Sequence, residues 1–475
     1  MKRYRIGLDF GTSQSKVCVF NADTKTHEFF KFPNDSYFLP TRISVRDGKF
    51  FYGESFDGST VEQYAYFKMA AADDQDFRRE TGSDLRERFY LEGFEEFSKY
   101  SPELLSVLYI TNILLLVKTA YRSNQISSNA GQRLLSMILK NRDAEEVRFS
   151  VRLGIPTEWS QKKNIRRKLK FEGILMISEE LQRQFRTAKE FQSAKCEFVI
   201  REIERLRVAN QHMDRGDYSQ KLNSLGISVY PETAAGLAFI INGRQIKPGY
   251  YATMDIGGGS TDVSFFYVRQ DQKIRYFASE SYAMASNNVF DAYNSSNERS
   301  LPSFQQTEAE FRSKLSQRGW KQNERIVSAL KLVDRKLDRL VKKLFNKRVF
   351  FFNGSMVKSF SDQPIILYGG GSRMPYIRDG VIEIHDNGTV SITGTRTFME
   401  KQSLERYTAN VDVINEDADW KKDFTLLVVA LGLSYIHAPD AAEWFDMNDY
   451  HSHDEGRLSP TDEFHPINEG YYFCK

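Results

Sequence analysis

Asp255-Ile256-Gly257-Gly258-Gly259-Ser260-Thr261-Asp262 lies between two apolar runs, Tyr251–Met254 and Val263–Val268. Successive glycines inside a strand pattern weaken it unless the backbone must approach something closely. A hairpin turn of this kind offers backbone N–H and hydroxyl donors to phosphate oxygens, and the acid at its entrance suits a hydrated Mg2+. Asp262, at its exit, reads as a residue that fixes the turn by accepting backbone N–H bonds. A changed copy, Asp9-Phe10-Gly11-Thr12-Ser13, stands far earlier in the chain, between Tyr4–Leu8 and Val17–Phe20. Two such hairpins imply two similar lobes gripping one polyphosphate.

At 475 residues the chain exceeds one ordinary core, which again favours two large lobes. Hydrophobic residues at 41% and charged residues at 27% fit a soluble globular protein. A net charge of +3 gives no support for a nucleic-acid or membrane partner. Cys18, Cys196 and Cys474 are widely spaced, form no metal or disulfide pattern, and fit a reducing compartment. The chain enters a strand at once, which leaves no room for a signal peptide. Leu104–Val117, the longest apolar stretch, is interrupted by Ser106, Thr111 and Asn112, and reads as a buried helix too short and polar to span a bilayer. A cytoplasmic location is expected.

Residues 1–53 alternate apolar runs with turn residues, as in a β-meander, and residues 60–125 have helical spacing. Phe149–Ile155 reads as a strand closed by Pro156, and Ser160–Leu169 as the start of a charged helix. Residues 176–222 carry mixed charges at helical spacing, and Thr233–Ile241 is a small-residue helix suited to packing under a sheet. Residues 292–315 are polar and read as a loop or excursion. Glu324–Phe345 repeats apolar residues at three- and four-residue steps, and Phe424–Tyr435 is an apolar helix rich in small residues. The tail from 446 to 475 is polar and is expected to be partly ordered at best.

The chemistry concentrates in four segments. The first turn offers Gly11, Thr12 and Ser13 as phosphate donors and Asp9 as an acid, with Lys16 on the strand leaving the turn. The second offers Gly257, Gly258, Gly259 and Ser260, with Asp255 beside them. Gly369-Gly370-Gly371-Ser372-Arg373-Met374-Pro375 is a strand-to-helix glycine turn that lets a flat ring lie against the backbone, with Arg373 able to stack on it. Pro231-Glu232-Thr233 opens a helix between the two phosphate turns. A lone glutamate there is favoured by the helix dipole; as a catalytic group it orients a water for attack on the terminal phosphate.

These segments, in this order, resemble the phosphate-1, connect-1, phosphate-2 and adenosine segments of the actin, heat-shock-70 and sugar-kinase ATPase superfamily. Leu427–Leu433 resembles the connect-2 segment that closes the pattern. Gly154-Ile155-Pro156-Thr157-Glu158 and the adenosine turn with its arginine resemble most the nucleotide-binding domain of 70-kDa heat-shock chaperones. Lys16 and the order Pro231-Glu232 instead resemble plasmid-segregation actins.

The resemblance implies a two-lobed actin-like ATPase fold, α/β, with duplicated five-stranded ribonuclease-H-like mixed sheets and a nucleotide cleft between them. The first lobe is placed at 1–230 with a helical insertion near 170–222, the second at 231–435 with a helical subdomain near 292–350, and a polar tail at 436–475. It further implies ATP in the cleft, Mg2+ near Asp9 and Asp255, Lys16 or Lys68 on the phosphates, and Glu232 orienting the attacking water. The adenosine would lie on Gly369, Gly370, Gly371, Ser372 and Arg373. The implied function is a heat-shock-70-like, Mg-dependent ATPase without a peptide-binding domain, switching a protein partner. The alternative is an actin-like filament-forming ATPase of the plasmid-segregation type; a small-molecule kinase ranks below both.

Overall fold

In the computed structural model the described residues are 2–54, 56, 61–65, 67–72, 100–127, 147–160, 165–211, 213–242, 246–271, 273–282, 284–294, 304–346, 360, 363–378, 381–385, 396–404, 413–415, 419–435 and 443–444. Strand β1 (Lys2–Phe10) sets Tyr4, Ile6, Leu8 and Phe10 on one face in the first core, and Gly7 and Asp9 on its other face are buried as well. It forms a hairpin with β2 (Gln14–Asn21), in a register that sets Asp9 opposite Lys16, and β3 (Thr26–Phe29) continues the antiparallel meander. The short β4 (Leu39–Pro40) pairs with β2, while β5 (Arg42–Arg46), β6 (Lys49–Tyr52) and β7 (Glu62–Ala65) make a separate three-stranded sheet. Strands β8 (Val147–Ile155) and β9 (Ile227–Pro231) then add parallel to β1, giving the order β3-β2-β1-β8-β9.

The second sheet repeats this plan. Strands β10 (Gly249–Ile256), β11 (Thr261–Val268) and β12 (Ile274–Tyr282) form an antiparallel meander. Strand β13 (Ile365–Tyr368) pairs parallel with β10, as β8 does with β1, and β15 (Arg396–Ser403) pairs parallel with β13, as β9 does with β8. Strands β14 (Val381–His385) and β16 (Glu443–Trp444) extend the two edges, so this sheet has seven strands where five were expected. The expected duplication of mixed sheets is therefore visible in the hydrogen-bonded order itself.

Helices cover both sheets. In the first lobe these are α1 (Phe67–Ala72), α2 (Pro102–Ser127), α3 (Ile165–Gln182), α4 (Ala188–Ser193), α5 (Cys196–Asn210) and α6 (Arg215–Leu225). Helix α2 is longer than its sequence reading: Pro102–Arg122 is long and apolar enough to cross a membrane by length and composition, contrary to the expectation of a stretch too short and polar. It is mostly buried, with Leu105, Leu108, Ile110, Ile113 and Leu114 inside the first core, and Ser106, Thr111 and Asn112 are buried with it. Ser106 bonds the Pro102 carbonyl at 2.8 Å and Asn112 accepts from Gln192 at 2.8 Å, so its polar groups find partners within the protein.

Helix α7 (Glu232–Asn242) follows β9; α10 (Glu324–Leu344) packs on the second sheet, α8 (Ser286–Asn294) packs on α10, and α9 (Phe304–Leu315) packs on α8. The loop expected at 292–315 is in its described part the end of α8 and the whole of α9. Phe311 is fully buried against Phe290 and Tyr293, at ring distances of 5.4 and 5.3 Å, so one aromatic anchor holds an otherwise polar helix. Asn323 caps α10 by accepting from the Ile326 N–H at 3.2 Å. The short α11 (Asp419–Lys422) leads into α12 (Phe424–Ser434), which lies between α7 and the first sheet. Gly432 is required there, because a Cβ would strike the Ala235 carbonyl of α7. The polar tail at 446–475 lies outside the described residues.

Candidate active site

The two hairpin turns meet. A Cβ on Gly258 would strike Ser13, and one on Gly259 would lie 2.7 Å from Thr12 Cγ2, so the glycines let the turns of the two lobes touch. Around them is a cavity of about 380 Å³ with Asp9, Lys16, Lys68, Glu232, Asp255 and Asp262 on its walls. Gly11, Thr12, Ser13, Gly257, Gly258 and Ser260 also face it, as do Gly369 and Gly370.

Each element delivers its group for a local reason. Asp9 is the last outward residue of β1, and its cross-strand partner Lys16 donates to Asp9 Oδ2 at 2.9 Å. The equivalent cross-strand pair in the second hairpin is Asp255 and Asp262, two carboxylates. Glu232 stands in the first turn of α7, where the helix dipole favours an acid. Lys68, from α1, donates to Glu232 Oε1 at 2.9 Å, and both side chains are buried.

Burial opposes the charge on Lys68, yet Glu232, Asp9 and Asp262 together hold its pKa above the ordinary value. Burial also raises Glu232, with Asp9 adding to the shift and Lys68 opposing it. Asp255 rises well above the carboxylate range through burial and the neighbouring Glu232, Asp262 and Asp9. Asp262 is pushed up to about 8 by burial and by Glu232. A buried acid cluster of this kind discharges itself by taking up protons or a cation. Oxygens of Glu232, Asp255 and Asp262 lie within 4.8 Å of one another, close enough to hold one metal ion. Asp262 Oδ1 and Ser13 Oγ are buried without a partner, one among those acids and the other between the turns, so the residues present fit a cation beside a phosphate.

Asp262 was read from sequence as a turn-fixing residue, and its place among the acids follows from the hairpin register. Asp9, expected beside the metal, accepts from Lys16 and stands close enough to Glu232 and Asp255 to raise the pKa of both. The third glycine turn sits directly on Asp255: Gly369 has φ 81° and donates its N–H to the Thr425 carbonyl at 2.9 Å. Residues Gly370–Arg373 form a single 3-10 turn, not the start of the helix expected from the sequence. Arg373 reaches away toward α12: it donates to Asp423 at 2.7 Å, to Thr425 at 3.1 Å and to the Lys422 carbonyl. Gly371 and Ser372, in the middle of this turn, are buried. Sequence reasoning missed Thr41, Arg42 and Arg312, which line the cleft from β5, its approach and α9. No motif announced them: Thr41 and Arg42 stand outside the glycine turns, and Arg312 lies in a segment whose polar composition reads as a loop.

No protein-family model matches this chain, and no curated protein matches it. Among solved structures it is similar to a 15-stranded ParM filament from Clostridium botulinum (16% identity, 80% of this chain and 91% of that one, TM-score 0.38). It is also similar to MreB 5 of Spiroplasma citri bound to AMPPNP (13%, 78% and 85%, 0.40) and to an archaeal actin homologue in complex with ADP (12%, 90% and 97%, 0.39). The two-lobed actin-like architecture rests on the chain's own repeated sheet order and on the cleft between its two hairpins.

Proposed function

We propose that this chain is an actin-like ATPase whose nucleotide state controls its assembly with further copies of itself. The observation that carries the ATPase reading is the floor of the cleft, where two glycine turns, two lysines and four carboxylates converge. ATP would lie with its phosphates against Gly11, Thr12, Ser13 and Gly257–Ser260. A divalent cation held by Asp255 and Asp262 would neutralise phosphate charge. Lys16 and Lys68 would exchange a carboxylate partner for a phosphate, and Glu232, released from Lys68, would orient a water. Such catalysis rests on positioning and charge stabilisation.

Self-assembly is favoured over a chaperone-like switch by two side chains. Lys16, which carries the likeness to plasmid-segregation actins, lines the cleft floor. Arg373, which carries the likeness to chaperones, is engaged with Asp423 and Thr425.

Equilibrium titration with ATP and ADP, followed by phosphate release with Mg2+, tests the first claim. Glu232→Gln is expected to keep nucleotide binding and to lower phosphate release roughly 100-fold. Absence of any binding at millimolar nucleotide would sink the ATPase reading. Sedimentation with ATP, ADP or neither tests assembly: pelleting with ATP is expected, and a monomer at high concentration in all three states would defeat it.

A further inference from the structure

The charge of this chain is segregated, which its small net charge conceals. Between Arg312 and Arg348 stand thirteen Lys and Arg against three acids. From Phe445 to the C-terminus stand seven acids against Arg457 and Lys475. The basic segment is centred on α10.

The apolar stripe of α10, including Ile326, Leu330, Val333 and Leu337, is buried in the second core. Its two mid-helix acids are engaged as well: Asp334 and Asp338 face the buried Lys401 of β15 at 2.8 and 2.9 Å. Lys331, Arg335, Lys336, Arg339 and Lys343 remain exposed around Leu332, which is itself 46% exposed. Lys331 lies over the Tyr376 ring, whereas Arg335, Lys336, Arg339 and Lys343 have no ion-pair partner among the described residues. Like charges at three- and four-residue spacing destabilise a helix, so a polyanion laid along this face relieves a built-in repulsion. Because the apolar stripe is buried, the helix cannot lie in a bilayer by its hydrophobic face.

The start of the acidic segment is fixed nearby. Strand β16 (Glu443–Trp444) pairs with β12 at Arg275 and Tyr276. At the other end of β12, the Tyr282 hydroxyl lies 3.4 Å from the Leu340 carbonyl of α10. The run from Tyr276 to Tyr282 spans roughly 20 Å. An extended segment from Phe445 to Lys475 reaches on the order of 100 Å. Reach is ample, and the charges are complementary.

We propose that the acidic C-terminal segment, residues 445–475, docks on the cationic face of α10 in its own chain, through Arg335, Lys336, Arg339 and Lys343. Zero-length carbodiimide cross-linking of the full chain, mapped by mass spectrometry, tests this. Links are expected from Lys336 and Lys343 to acids among Asp446, Asp449, Asp454, Glu455, Asp462 and Glu463. Their yield should fall about fivefold in Arg335→Glu/Arg339→Glu, and likewise in Asp454→Lys/Glu455→Lys. Combining the two pairs should restore it, a rescue that misfolding of either variant cannot produce. An equimolar mixture of isotopically light and heavy chains should give links within one copy. Absence of these links, yields indifferent to the charge swaps, or links only between copies would each overturn the proposal. Tight binding of a duplex oligonucleotide to the unmodified chain at physiological salt, unaffected by Asp454→Lys/Glu455→Lys, would overturn it too, because it would mean an open face.

Discussion

Four carboxylates and two ammonium groups share the cleft floor, and the least conventional of them is Asp262. Its carboxyl titrates near 8 in the folded chain, against roughly 3.9 when unfolded. Between these values the folded state holds the proton that the unfolded state has lost. The stabilisation is full below the unfolded pKa and is lost as pH rises through the folded one. Without nucleotide or cation, stability should therefore decline from pH 5 to 8.5, and Asp262→Asn should flatten that decline in denaturant titrations. An unchanged slope would show that Asp262 is not the group. The Lys68–Glu232 pair carries a second prediction. Removing one partner of a buried pair strands the other, so Lys68→Ala should cost about 3–5 kcal/mol, and Lys68→Met with Glu232→Leu much less. A loss below about 1 kcal/mol for the single change would show that the pair opens readily to water.

At the scale of elements, α12 decides how the lobes meet. It contacts α7 through Gly432 and the first sheet through its apolar flank, and its start is held by Arg373. Gly432→Val should destabilise by about 1–3 kcal/mol through overpacking, visible as a lower denaturation midpoint. Arg373→Ala should cost about 1 kcal/mol of stability while nucleotide affinity changes less than about threefold. A tenfold loss of affinity with unchanged stability would return Arg373 to the role of ring-stacking residue. Helix α10, through its periodicity, and α7 and α12, through their runs of small apolar residues, were legible in the sequence nearly to the residue. Helix α9 was not, because one buried phenylalanine outweighs a polar composition that locally reads as loop. The glycine turns stood out in the sequence because three glycines in a row fit neither strand nor helix periodicity, whereas the packing of Gly258 against Ser13 and of Gly259 against Thr12 did not.

For the whole molecule, the cleft joins two halves that also touch directly. Glu158, just after β8, accepts the Ser281 N–H of β12 at 2.7 Å, and Thr157 accepts the Thr233 N–H at 3.0 Å. A ligand bound only by the folded chain stabilises it by about 2.7 kcal/mol at 100 times its dissociation constant. Mg2+ and ATP together should therefore raise the denaturation midpoint, and ATP with a chelator should raise it less. Equal shifts with and without the metal would remove the cation from the acid cluster. The duplicated hairpin, the strand periodicities and the apolar helices are local patterns, and the sequence by itself determined them: two like lobes, two glycine-rich hairpin turns and an acid between them. Which charges face each other was decided only by tertiary structure. Asp255 meets Asp262 through strand register, Lys68 meets Glu232 across 164 residues, and Arg373 pairs with Asp423 at the start of α12. Electrostatic partnership depends on distance and burial, and neither is written in the order of residues along a chain.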